Sequence, residues 1–116
     1  MSKKSKIVQL SRNRYCVILS TFPTRKGAEK VAGGLIREKL AACCNVIPGL
    51  TSFFSWKGKN EKCRESLLLI KTEGRCVKEA SRFLKTHHPY DLPECLVLPI
   101  IAGEASYLAW IGKSCR

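Results

Sequence analysis

The sequence predicts an α/β (α+β) chain folded as one sandwich of a sheet and helices. Three observations carry this. Apolar segments switch between strand and helix periodicity in the order strand, helix, strand, strand, helix, strand. The two middle strands are separated by a tight turn at Lys57-Gly58, so they form a long hairpin. The crossover rule then places both main helices on one face of an antiparallel sheet. That is the ferredoxin-like βαββαβ arrangement, here with an extended β-hairpin and a short C-terminal helix.

Residues 15–21 (Tyr-Cys-Val-Ile-Leu-Ser-Thr) form an apolar, β-branched run closed by Pro23 and read as a buried strand. Thr24 can cap the helix that follows. There Ala28, Val31, Ala32, Leu35, Ile36 and Leu40 recur at three- and four-residue spacing, which gathers them on one face. Gly33 and Gly34 each weaken that helix by up to about 1 kcal/mol. The pair fits either close packing on a neighbour or plain solvent exposure. Residues 43–56 have strong β character from Phe53, Phe54 and Trp56, with a break or bulge expected at Pro48-Gly49. Residues 65–72 return as the second arm, and the polar tip between should project from the compact body. Residues 75–88 place Cys76, Val77, Ala80, Phe83, Leu84 and His87 at helical spacing until Pro89 stops the helix. Residues 96–101 are the last core strand, which Pro93 can open because no ladder donor is needed there. Residues 105–111 make the terminal helix.

A chain of 116 residues can hold a core without disulfide staples. It reads as one domain, residues 14–116, preceded by a basic tail, residues 1–13. The tail's apolar stretch is too short for a signal-peptide core. No run approaches the roughly 18–20 apolar residues of a membrane-spanning helix. Twenty-one Lys and Arg against nine Asp and Glu give a net charge of +12. These charges are scattered, so they suit solubility first and non-specific, salt-sensitive nucleic-acid binding second. No RNP-type aromatic run offers base stacking. The seven cysteines are odd in number, include the adjacent Cys43 and Cys44, and contain no CxxC pair. They support neither a disulfide framework nor a zinc cage, and a reducing cytoplasm suits them best. Cys16, Cys43 and Cys95 read as buried hydrophobes, Cys63 and Cys115 as exposed.

The densest chemistry lies in His87-His88-Pro89-Tyr90-Asp91-Leu92-Pro93-Glu94, with Tyr107 and Trp110 following. Imidazole and carboxylate suit copper and zinc. The structural alternative is that the imidazoles close a helix, where a cation interacts well with the C-terminal dipole. The sequence has no Gly-rich phosphate loop, GxSxG elbow or HExxH. Nothing orders Cys43-Cys44 with a histidine as a nucleophile, and Phe22-Pro23-Thr24-Arg25-Lys26 does not match an acylphosphatase anion loop. The chain reads as a non-enzyme.

Leu40-Ala41-Ala42-Cys43, Asn45, Pro48, Thr51-Ser52, Trp56, Gly58-Lys59, Glu61, Glu65, Lys71-Thr72, His88-Pro89-Tyr90, Pro93-Glu94, Pro99-Ile100, Gly103, Tyr107-Leu108 and Trp110 form an ordered series. The series resembles the CutA family, the divalent-cation tolerance proteins, across residues 15–111. The resemblance implies a ferredoxin-like subunit in a tight homotrimer whose hairpins reach across to neighbouring subunits. It also implies a role in metal response or signalling with no required cofactor. Trimerisation would cover Phe53, Phe54 and Trp56, a hazard on an isolated hairpin.

Copper sites in the family resemble a set of one Cys ending the first strand, a His before Pro-Tyr and a Glu on the last strand. His87 and Glu94 match, with His88 beside them, but the thiol position is Ser20. Cys16 lies four residues upstream, roughly 13 Å along a strand, and is too far to substitute. The metal candidates are therefore His87, Glu94 and His88, for Cu(II) or another divalent cation. Trp56, Glu61, Glu65, Lys71, Tyr90, Tyr107 and Trp110 are candidates for an inter-subunit cleft. Such a group fits a small-ligand pocket with aromatic walls or interface anchors and ion pairs. The family usually has Tyr where this chain has Phe54, so a hydrogen bond from that position is lost.

Overall fold

The strand Tyr15–Phe22 (β2) runs through the middle of the sheet, alternating core-facing and half-buried residues as a central strand with one covered face should. The computed structural model describes residues 7–9 and 14–116. Within the expected basic tail, Ile7–Gln9 (β1) is a short strand paired antiparallel with Ala102–Glu104 (β6). The rest of that tail lies outside the described residues. The main sheet has four antiparallel strands in the order β3-β4-β2-β5, where β3 is Cys43–Trp56, β4 is Lys59–Glu73 and β5 is Leu96–Pro99. This is the ferredoxin-like arrangement expected from the element order.

The first helix, Arg25–Arg37 (α1), starts where the Thr24 hydroxyl accepts the Gly27 N–H at 3.1 Å. It ends earlier than the apolar spacing suggests. Lys39 turns left-handed at φ 56°, its N–H donates to Ile36 O at 3.0 Å, and the Leu40 N–H donates to Leu35 O at 3.0 Å. This Schellman stop folds Leu40 back onto the core beside Leu35. The glycine pair divides its roles. Gly33 has open space around it, whereas a Cβ on Gly34 would lie 2.5 Å from Phe83 Cζ. The second helix, Val77–Thr86 (α2), therefore packs closely on α1 at Gly34.

Lys57 and Gly58 both have positive φ, 51° and 78°, the type I′ geometry that lets two long strands turn in register. The register skips between Ile47 and Leu50, where Pro48 and Gly49 stand opposite one residue of β4, with Gly49 at φ 77°. That is the expected bulge. Several elements differ in extent from the sequence reading. β4 continues to Glu73, a 3-10 turn over Gly74–Cys76 precedes α2, and His87 is the C-cap of α2. Pro93 lies in the loop before β5 and does not open it. The terminal helix, Ala105–Ser114 (α3), runs one turn longer than its apolar spacing indicates.

Ile18, Phe22, Leu35, Leu68, Ile70 and Leu84 centre the main core between sheet and helices. A second cluster joins Tyr15, Cys76, Leu108, Ile111 and Cys115 under α3. Cys115 is thus buried, contrary to the exposure its polar neighbours Lys113, Ser114 and Arg116 suggest. The end of α3 turns it inward onto Thr72 of β4. Cys16 is buried as expected, Cys43 and Cys95 are half-buried, and Cys63 is also partly covered.

Candidate functional site

Period-two alternation along β4 puts Glu61, Cys63 and Glu65 on one face of the hairpin, and register sets Phe54 and Ser52 beside them on β3. The proline-framed loop between α2 and β5 adds Tyr90, Asp91, Leu92 and Glu94, and Trp56 closes the outer end. Together they line a cleft of about 820 Å³. The Tyr90 hydroxyl donates to Glu65 Oε2 at 2.7 Å, tying the loop to the hairpin root. Glu65 is only 7% exposed.

Four of the chain's nine acidic residues, Glu61, Glu65, Asp91 and Glu94, line this one cleft, and Lys62 is the only basic residue doing so among the described residues. The electrostatics follow. Burial pushes the Glu94 carboxyl above the usual carboxylate range, and the neighbouring Glu65 charge pushes it further. Burial likewise raises the Tyr90 phenol, with its hydrogen bond to Glu65 adding to the effect. The Cys63 thiol is raised by desolvation and then by Glu65 and Glu61. Each shift favours the neutral form of a group that faces uncompensated negative charge.

The two histidines serve different ends. His88 donates from Nε2 to Thr21 O at 2.9 Å, and its Nδ1 accepts the Tyr90 N–H at 3.1 Å. Its ring stacks on Phe22 with centroids 4.1 Å apart. Both ring nitrogens are committed to the backbone, so in this arrangement His88 offers no lone pair to a metal. His87 donates from Nδ1 to Phe83 O at 2.9 Å and stacks on the Phe83 ring, and among the described residues no hydrogen bond engages its Nε2. It does not line the acidic cleft, where Glu94 sits. Among the described residues no group of three or more His, Cys, Asp or Glu side chains converges as a metal cage. The His87, His88 and Glu94 set therefore does not fit a closed metal site within one chain, because His88 is spent on positioning Tyr90.

The aromatic candidates also divide. Trp56, Glu61, Glu65 and Tyr90 share the cleft, but Lys71, Tyr107 and Trp110 form a separate group. There the Lys71 ammonium lies 5.8 Å from the Tyr107 ring centroid, and the Tyr107 and Trp110 rings are 5.4 Å apart. Sequence reasoning did not place Asp91, Cys63 and Thr21 in the cleft. The period-two spacing of Glu61, Cys63 and Glu65 was the available signal for Cys63.

The class defined by this fold is a ferredoxin-like scaffold carrying an acidic, aromatic-walled cleft. Residues 16–114 match the family described as CutA1 divalent ion tolerance protein, and the chain belongs to that family. It is 42% identical over 100 residues to the divalent-cation tolerance protein CutA of Escherichia coli (strain K12 / DH10B), a match covering 86% of this chain and 89% of that one. It is 39% identical over 100 residues to the chloroplastic CutA of Arabidopsis thaliana, covering 86% of this chain and 55% of the plant protein. The chain therefore spans little more than half the length of that plant relative. Among solved structures, CutA1 from Oryza sativa superposes with a TM-score of 0.86 at 38% identity, covering 90% of this chain and 96% of that one. The divalent cation tolerance protein of Thermus thermophilus superposes with a TM-score of 0.85 at 38% identity, covering 88% and 99%. Among the described residues no helix is long and apolar enough to cross a membrane.

Proposed function

We propose that the chain works as a homotrimeric binding protein that takes a divalent cation in the acidic cleft and catalyses no reaction on it. The observation that carries this is that Glu61, Glu65, Asp91 and Glu94 line one cleft of a chain whose net charge is +12, an open acidic surface and, among the described residues, not a closed cage. Burial and the neighbouring Glu65 charge raise the proton affinity of Glu94, and a bound cation would relieve that repulsion. Carboxylate oxygens suit hard and borderline divalent cations. The relatives named for divalent-cation tolerance support the same reading.

Assembly is supported by the sheet face away from the helices. Register brings Val17, Leu19, Leu67 and Leu69 together there with Leu96 and Leu98 of the edge strand β5. Leu96 is 55% exposed and Leu98 47%, while Phe53 at the hairpin is 74% exposed. An apolar face ending in an apolar open edge is a surface that soluble chains cover by association.

Titration calorimetry with Cu(II) and with Zn(II) tests the cation reading. Glu94→Gln should weaken binding by about tenfold or more. Affinity unchanged in Glu94→Gln would remove the cleft from the reading. Light scattering tests the assembly: three chains of 13.0 kDa give about 39 kDa, and a monomer in dilute buffer would overturn it.

A further inference from the structure

We propose that Cys76 and Cys115 are a disulfide-forming site that covalently latches the C-terminal helix to the start of α2. The two residues are 39 positions apart in sequence yet share the second core cluster, 4% and 7% exposed. The Cys76 side chain packs in that cluster beside the Cys115–Arg116 end of the chain. Thr72 Oγ1 lies 3.5 Å from Cys115 Sγ, and Cys76 Sγ donates to Arg116 O at 3.5 Å.

A polar clasp holds this contact in place. The Arg75 guanidinium, adjacent to Cys76, donates to Arg116 O, to Cys115 O at 3.3 Å and to Gly112 O at 3.4 Å. Arg116 in turn pairs with Glu79 of α2 and donates its backbone N–H to Lys39 O at 2.9 Å. The sulfurs are thus positioned by contacts made on both sides of them, and the binding cleft uses neither one.

The oxidant required is a peroxide. One thiolate attacks a peroxide oxygen, the O–O bond breaks, and the sulfur becomes a sulfenic acid as hydroxide leaves and is protonated to water. The second thiolate attacks that sulfur, forms the S–S bond and expels the sulfenic oxygen as a second water. Both sulfurs are oxidised by one electron each and the peroxide is reduced by two. Burial raises the Cys76 thiol and the Cys115 charge adds to this, with Arg75 drawing it partly back. Reaction therefore quickens as pH rises, because the thiolate is the nucleophile. The product adds a covalent tie to α3, whose exposed side carries Trp110, where the reduced protein holds its end by apolar packing, hydrogen bonds and the exposed Arg116–Glu79 ion pair.

The test treats the full chain with hydrogen peroxide under native conditions and maps its peptides without reduction. A Cys76 peptide joined to a Cys115 peptide, lighter by two hydrogens and separated by dithiothreitol, is the expected product. Linkage of other cysteines alone, or only higher oxidation states at these two positions, would overturn the proposal. In the oxidised protein, amide exchange over Ala105–Ser114 should slow by about tenfold or more. Unchanged exchange in a protein shown to carry the bond would overturn the latch. Cys115→Ser should leave Cys76 unlinked, and the mapping of the unsubstituted chain stands even where that variant folds poorly.

Discussion

The glycine pair of α1 offers a controlled test of how closely the two helices approach. Gly33 and Gly34 are neighbours in one helix, so alanine brings each the same intrinsic gain of about 1 kcal/mol. Their surroundings differ: among the described residues nothing lies within 4 Å of a Cβ on Gly33, but one on Gly34 would meet Phe83 Cζ at 2.5 Å and Cε1 at 2.9 Å. Carbon atoms settle at about 3.5–4.0 Å, so the ring must retreat by roughly 1 Å. It cannot do so freely, because it stacks on His87 at 4.2 Å and packs against the core. Overpacking of this kind costs about 1–3 kcal/mol. Gly33→Ala should therefore stabilise by about 1 kcal/mol. Gly34→Ala should destabilise by up to about 2 kcal/mol once the helix gain is subtracted. Urea unfolding at one fixed protein concentration reads both, since assembly makes the midpoint concentration-dependent. Adding Phe83→Leu should recover much of the loss in Gly34→Ala and do nothing for Gly33→Ala. Equal stabilisation by the two alanines would refute the described packing of α1 on α2.

Three further outcomes are expected. Tyr90→Phe removes the donor to the buried Glu65 carboxylate and should cost about 1.5–3 kcal/mol by urea unfolding, with little further loss when Glu65→Gln is added. Ser20→Ala should stabilise by about 1 kcal/mol or leave stability unchanged, because the Ser20 hydroxyl is fully buried with no hydrogen-bond partner among the described residues. A loss of more than about 1 kcal/mol would show that the hydroxyl is engaged. Burial holds the His88 imidazole below the ordinary value of 6.5, partly offset by its bond to Thr21. The unfolded chain therefore takes up this proton first, so the stability His88 contributes is full above pH 6.5 and is lost as pH falls toward its lowered native value. Glu94, raised above 4.5, acts oppositely: the repulsion it brings is relieved as pH falls through its native value. Unfolding midpoints followed below pH 6.5 should fall more steeply in the unsubstituted chain than in His88→Gln, and identical slopes would refute the assignment.

Local rules accounted for the parts of the fold that depend on a few adjacent residues. The Thr24 cap, the Lys57-Gly58 turn and the Pro48-Gly49 bulge each follow from the conformational limits of those residues, and each stands in the structure. The helix stop at Lys39 escaped because a non-glycine residue takes the left-handed position, and the apolar spacing ran on to Leu40. What was not legible depends on distant partners. Cys115 has polar neighbours in sequence but packs on Thr72 and Cys76 in space. His88 looked like a ligand beside His87, yet its nitrogens are consumed by Thr21, sixty-seven residues away, and by Tyr90. Glu61, Glu65, Asp91 and Glu94 become one group only when the hairpin and the α2–β5 loop meet. Lys71, Tyr107 and Trp110 separate from them because they meet at the opposite end of β4, beside α3.

Cation binding in the acidic cleft is tested most directly by crystals grown with Cu(II) or Zn(II) and read by anomalous scattering. The expected peak lies within the space lined by Glu61, Glu65 and Glu94, present in the unsubstituted chain and absent in Glu94→Gln. A peak confined to His87 Nε2, or one that persists unchanged in Glu94→Gln, would contradict cation binding in the cleft.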